Sequence, residues 1–136
     1  ILPEDVIVSK DHNSKGVLKS LDQINDNDLI LDIGEKTVQN IFKIIDESKT
    51  IFWNGPVGYF EIDEFSVGSR KIANKISENT KTKSLVSIAG GGDTVAAINK
   101  FNCSNGFTYL STAGGAFLEF LEGKVLPGIK ALEVNE

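Results

Sequence analysis

Short apolar runs and amphipathic segments alternate along most of this chain, and that alternation is what most limits the folds open to it. Asp5 to Ser9 (DVIVS) and Leu29 to Ile33 (LILDI) are β-branched runs of strand length. The polar stretch between them, with Gly16 and many Asp and Asn residues, reads as an excursion or a hairpin-bearing loop. Val38, Ile41, Phe42 and Ile45 then recur at i, i+3, i+4 and i+7, the single buried stripe of a helix. Thr50 to Trp53 (TIFW) is the next strand, Phe65, Ile72, Ala73 and Ile76 mark a second helix, and Ser84 to Ala89 (SLVSIA) is a further strand. Asp93 to Lys100 is a short helix with Val95 and Ile98 inward, Phe107 to Leu110 (FTYL) a strand, and Ala116 to Leu121 a closing helical turn or two. Strands joined through helices need crossover connections, and right-handed βαβ crossovers give a parallel sheet with helices on its faces. The predicted class is therefore α/β, a three-layer doubly wound parallel sheet of Rossmann-like type. No internal linker divides the chain. Only Lys124 to Glu136, with Pro127 and Gly128, reads as a segment leaving the sheet to pack elsewhere.

Composition narrows the partners. With 136 residues the chain is sized for one compact core, and 40% hydrophobic with 24% charged residues is the balance of a globular protein. No run approaches the ~18 apolar residues that span a bilayer, so no membrane partner is expected. The net charge is −5 and the lysines are scattered among acids, so no basic stripe is available to track nucleic acid. A single Cys103 and no CxxC spacing favour a reducing compartment, with the cytoplasm as the expected one. His12 is the only histidine and lies in a polar stretch, so it reads as a solvated loop residue, and neither a His-based metal cluster nor a Ser/His/Asp triad can be assembled. A chain that opens on Ile1, has no Met and shows no signal-peptide pattern reads as a piece of something larger.

Ligands of open parallel sheets bind where strands end and loops lead into helices, and three such loops stand out here. Trp53-Asn54-Gly55-Pro56-Val57-Gly58-Tyr59-Phe60-Glu61 leaves a strand and ends in a carboxylate. Alone it reads equally as a rigid turn with an aromatic staple or as a ribose site, the two oxygens of Glu61 accepting from vicinal hydroxyls and Asn54 offering both donor and acceptor. In Gly90-Gly91-Gly92-Asp93-Thr94, glycines let the backbone approach a ligand and helix-start amides attract anions. Asp93 is either an ordinary N-cap or, facing phosphates, a ligand of Mg²⁺, which takes a single carboxylate together with phosphate oxygens. Ser111-Thr112-Ala113-Gly114-Gly115-Ala116 is a capped strand-to-helix turn or a second anion site. Adjacent on one sheet edge, the last two loops could grip one polyphosphate from two sides. None is a Walker A or GxGxxG motif, which counts against the P-loop and dinucleotide-oxidoreductase readings. None contains Lys or Arg, so phosphoryl transfer at these loops needs cationic groups from elsewhere.

WNGPVGYFE, GGGDT and STAGGA running into LEFLEGKVLPGIKAL, with LDIGEKT upstream, resemble in order and spacing the end of phosphoglycerate kinases, and the likeness covers essentially the whole chain. The resemblance implies a truncated part of a two-domain glycolytic kinase that moves a phosphoryl group between 1,3-bisphosphoglycerate and ADP, giving 3-phosphoglycerate and Mg-ATP. It implies a partial C-terminal nucleotide-binding domain over residues 1–123 and a tail, 124–136, that packs toward an N-terminal domain bearing the acid substrate. Under it Glu61 is the ribose carboxylate, and Asn54 and Pro56 lie near the nucleotide. Asp93 coordinates magnesium, Gly91, Gly92 and Thr94 are its phosphate-proximal neighbours, and Gly114 and Gly115 open the helix that cradles the transferred phosphate. The parent is expected to be monomeric and the isolated piece inactive. The alternative is a nucleotide-binding module without chemistry of its own. Family members commonly have glycine where this chain has Ala113, and a proline is frequent where it has Glu35; a requirement for positive φ at 113 would cost on the order of 1 kcal/mol.

Overall fold

A computed structural model describes residues 2–133 and divides its strands between two sheets. The first is antiparallel: β1 (Asp5–Ser9) lies between β2 (Val17–Ser20) and β3 (Leu29–Ile33). The sequence led us to expect DVIVS and LILDI as strands of a parallel arrangement, and the pairing differs for a simple reason. The segment between them carries no crossover helix, only a hairpin and a short 3-10 turn (Leu21–Gln23), so the chain returns antiparallel. The β1–β3 register runs Ile7↔Asp32 then Val8↔Ile30, which leaves Leu31 as an extra residue in β3.

The second sheet meets the α/β expectation. β4 (Thr50–Asn54), β5 (Val86–Gly90) and β6 (Tyr109–Ser111) are parallel neighbours in that order. α1 (Glu35–Glu47) leads into β4, and α2 (Val67–Thr82) and α3 (Gly92–Lys100) make the crossovers. One sheet face, with Trp53 and Ala89, packs on Ile45, Ile72, Ala73, Ile76 and Ile98 of these helices. The opposite face receives α4 (Gly114–Leu121) at its carboxyl end, where the Phe52 and Phe117 rings stand 4.5 Å apart. Away from α4 that face is open, with Val86 43% and Tyr109 62% exposed.

Element boundaries shift from the sequence reading where backbone geometry intervenes. Ser84 has φ 57°, a left-handed turn that delays β5 to Val86. Phe65 closes a 3-10 turn (Asp63–Phe65), so α2 begins at Val67. His12 is exposed, as expected of a loop residue, with its ring 4.8 Å from that of Tyr59. The tail forms one short turn, α5 (Pro127–Lys130), with Val125 and Leu132 exposed, and the part of it at 134–136 lies outside the described residues.

Two buried carboxylates start the first two long helices from a distance. α1 begins after Gly34, which has no side chain to cap it, and Asp5 of β1 accepts the amides of Lys36 (3.0 Å) and Thr37 (2.9 Å) and the Thr37 hydroxyl (2.7 Å). Asp32 of β3 accepts the Gly68 amide at 2.8 Å in the first turn of α2. Burial works to raise Asp5, but the Thr37 hydroxyl and the Thr37 and Lys36 amides outweigh it and hold the carboxyl below its usual range. For Asp32 burial wins over the amides of Gly68, Ile33 and Val67, and its carboxyl is pushed up.

Candidate functional site

The three glycine-bearing loops converge at the carboxyl edge of the parallel sheet. β4, β5 and β6 end side by side at Asn54, Gly90 and Ser111, with Asn54 opposite Gly90 and Gly90 opposite Ser111. The Gly91 amide donates to the Ser111 carbonyl (3.0 Å) and the Gly55 amide to the Thr94 hydroxyl (2.7 Å). Gly91 stands at φ 94° as the N-cap of α3, a conformation that glycine adopts without a Cβ penalty. Gly114 is buried, and a Cβ there would collide with Asn54 Oδ1 and fall 2.6 Å from the Gly91 nitrogen. The close approach of the second and third loops therefore requires glycine at 114.

Beyond this contact the edge is open. A Cβ on Gly92 or Gly115 would meet nothing within 4 Å, and neither α3 nor α4 has a side-chain cap. Their first-turn amides face space that an anion can occupy. Asp93 is the second residue of α3 rather than its N-cap, and among the described residues its exposed carboxylate accepts no hydrogen bond. A free carboxylate beside uncapped amides fits a magnesium ion that takes its other ligands from phosphate and water. Ala113 has φ −89°, so no left-handed strain arises there.

The first loop is held along its length. The Trp53 indole donates to the Gly55 carbonyl (2.7 Å), the Val57 and Gly58 amides to the Ser69 hydroxyl (3.0 and 3.3 Å), and the Tyr59 amide to the Leu31 carbonyl (2.7 Å). Asn54 is exposed at its start and Glu61 at its far end. Pro56 points another way: it lines a cavity of about 430 Å³ with Pro3, Val6, Asp32 and Tyr59. That space lies behind the loop and is mostly apolar, and its one carboxylate already accepts the Gly68 amide, so we do not assign it to phosphates. Asn54, Gly91 and Gly114 thus pack closely together, Thr94 lies beside Gly91 and ties the edge to Gly55, Gly92, Asp93 and Gly115 share that edge, and Glu61 and Pro56 stand further along.

Sequence reasoning missed Ser69. Ser69 lies one helical turn before Ile72 and Ala73 on the buried stripe of α2, a polar residue on an apolar face, and that was the available signal. Ser111 heads the third loop, expected from the sequence as a capped turn or an anion site, and its hydroxyl accepts the Ala113 amide at 3.1 Å.

The family profile described as phosphoglycerate kinase matches residues 1–124. The chain belongs to the phosphoglycerate kinase family. It is 47% identical over 137 aligned positions to the phosphoglycerate kinase of Rhodopseudomonas palustris, covering 99% of this chain and 34% of that protein. With the phosphoglycerate kinase of Borreliella afzelii it shares 48% identity over 98% of this chain and 33% of the relative. The fold superposes on the solved phosphoglycerate kinase of Coxiella burnetii with a TM-score of 0.87 at 47% identity, covering 97% of this chain and 33% of that one. For the phosphoglycerate kinase of Pyrococcus horikoshii the TM-score is 0.80 at 34% identity, with 96% and 31% covered. The chain spans about a third of the length of the relatives it matches. No helix among the described residues is long and apolar enough to cross a membrane.

Proposed function

We propose that this chain is the nucleotide-holding part of a phosphoglycerate kinase, from the C-terminal portion of the parent, and that it binds Mg-ADP or Mg-ATP at the carboxyl edge of its parallel sheet. The observation that carries this reading is the close packing of Asn54, Gly91 and Gly114, with Thr94 tied to Gly55, at two uncapped helix starts. Membership of the family supplies the reaction of the whole enzyme: reversible transfer of a phosphoryl group between 1,3-bisphosphoglycerate and ADP, a step of glycolysis.

Each residue then has a physical task. The amides at the starts of α3 and α4 meet polyphosphate oxygens, with Gly92 and Gly115 keeping the approach clear. Gly114 and Gly115 face the phosphate being transferred. Asp93 holds the magnesium ion, which, when bound, offsets the negative charge on the phosphate oxygens. Glu61 takes the ribose hydroxyls, and Asn54 and Pro56 frame the approach.

The three loops contain no Lys or Arg, so charge spreading over the transferred oxygens lacks its cationic partners within this chain. Residues 1–123 act as part of one domain, and 124–136 pack toward the domain that carries the acid substrate, whose closure expels water and aligns the reactants. The parent acts as a monomer in the cytoplasm, and the isolated chain does not turn over.

Calorimetric titration with Mg-ADP tests the site. Binding that weakens at least tenfold in both Asp93→Ala and Glu61→Ala supports it, and indifference to both changes sinks it. A coupled ATP-forming assay on the 136-residue protein should stay at background.

A further inference from the structure

α3 grips the first loop from both of its ends. At its start Thr94 accepts the Gly55 amide (2.7 Å). At its last residue the Lys100 ammonium donates to the carbonyls of Phe60 (2.9 Å) and Glu61 (3.0 Å) and pairs with Asp63 Oδ1 at 2.8 Å. An ammonium has three protons, and here each has an oxygen. The Asp63 side chain is 87% exposed, so that pair does little to fix the geometry. The two carbonyls belong to the chain itself, and they locate the backbone of Glu61 against a helix. Thr94 and Lys100 are six positions apart in α3, about 9 Å of rigid rod at the rise of an α-helix.

Glu61 makes no side-chain hydrogen bond among the described residues, and its exposed carboxylate is aimed only by the backbone that carries it. Two vicinal hydroxyls can be met by one carboxylate only if that backbone is held, because a displacement of about an ångström loses the second hydrogen bond. We propose that Lys100 is a positioning residue that sets Glu61 for the ribose and thereby determines preference for ribonucleotides over 2′-deoxyribonucleotides. This deepens the nucleotide reading of the site and rests on it.

The test uses the 136-residue protein titrated with Mg-ADP and with Mg-2′-deoxy-ADP. The unaltered protein should prefer ADP, and Glu61→Gln should weaken that preference. Lys100→Met, which keeps the aliphatic stem and removes the ammonium, should lower ADP affinity roughly tenfold and leave the deoxy ligand within about twofold, so that the preference nearly vanishes. Amide hydrogen exchange at Glu61 to Asp63 should quicken without nucleotide. Lys100→Gln, which keeps uncharged N–H donors, should fall between, and it serves as the test if Lys100→Met does not fold. Equal weakening of both ligands with preference retained would mean a merely structural lysine and overturn the proposal. Binding of ADP without any preference over its deoxy form in the unaltered protein would also overturn it, while leaving the nucleotide reading intact. No binding of Mg-ADP at all would remove that reading and this one together.

Discussion

The Thr94 hydroxyl lies 2.7 Å from the Gly55 amide and the residue is 1% exposed, so a buried residue of the second glycine loop holds the first. Thr94→Val keeps the shape and removes the acceptor. It should cost about 1–2 kcal/mol in urea unfolding and weaken Mg-ADP binding, whereas Thr94→Ser should retain most of both. A Thr94→Val protein as stable as the original would show that the Gly55 amide finds another partner.

The two glycines that open α4 should respond in opposite ways to a methyl group. Gly114→Ala must push a Cβ against the Gly91 nitrogen, and a loss of about 1–3 kcal/mol is expected with the site disrupted. Gly115→Ala meets open space and reduces the freedom of the unfolded chain, so stability should hold or rise by a few tenths to about 1 kcal/mol. Its methyl group would nevertheless stand in the approach to the helix start, and Mg-ADP binding should weaken. Denaturation and titration of the pair separate folding from ligand contact.

Asp5 and Asp32 should bend the pH profile of stability in opposite directions. Asp5 is held below its unfolded value, so its contribution is present above about pH 4 and disappears as pH falls through the lower folded value. Asp32 is pushed above its unfolded value, so the folded state favours the proton and stability declines as pH rises from about 4 through the raised value. Asp5→Asn should flatten the acid side and lose about 1–3 kcal/mol near neutrality, since its amide would face the donors of Lys36 and Thr37. Asp32→Asn, which mimics the protonated acid, should abolish the decline instead. Urea midpoints between about pH 3 and 7 would expose either slope or its absence.

Trp53 is the only tryptophan, and its indole donates to the Gly55 carbonyl at the root of the first glycine-bearing loop. Its emission should shift as Mg-ADP binds and stay fixed in Asp93→Ala at the same nucleotide concentration. An identical shift in both proteins would place the nucleotide away from α3.

The helices and the parallel strands were legible because their apolar residues repeat at the spacing of their secondary structure: Val38, Ile41, Phe42 and Ile45 along α1, TIFW and SLVSIA in β4 and β5. The glycine loops were legible because backbone approach and left-handed turns narrow the choice of residue, as at Gly91 and Gly114. Partnerships across the chain were not. Asp5 sits in a run of strand residues and Lys100 looks like any exposed helix end, and their tasks are set by residues 31 and 39 positions away. The antiparallel direction of β1 and β3 was legible only in part: the same apolar runs serve either pairing, but the stretch between them, read as an excursion or a hairpin-bearing loop, already lacked a crossover helix.

Leu31, the surplus residue of β3, sets a phase. Because Leu31 is bulged out of the register, Asp32 keeps its place opposite Ile7 with its carboxylate on the Gly68 amide of α2, while the Leu31 carbonyl meets the Tyr59 amide. Deleting it would leave Asp32 opposite Ile7 but remove the carbonyl that takes the Tyr59 amide, so the loop from Trp53 to Glu61 would lose that mooring although every neighbouring residue type were kept. At this place the chain is more sensitive to its length than to its spelling.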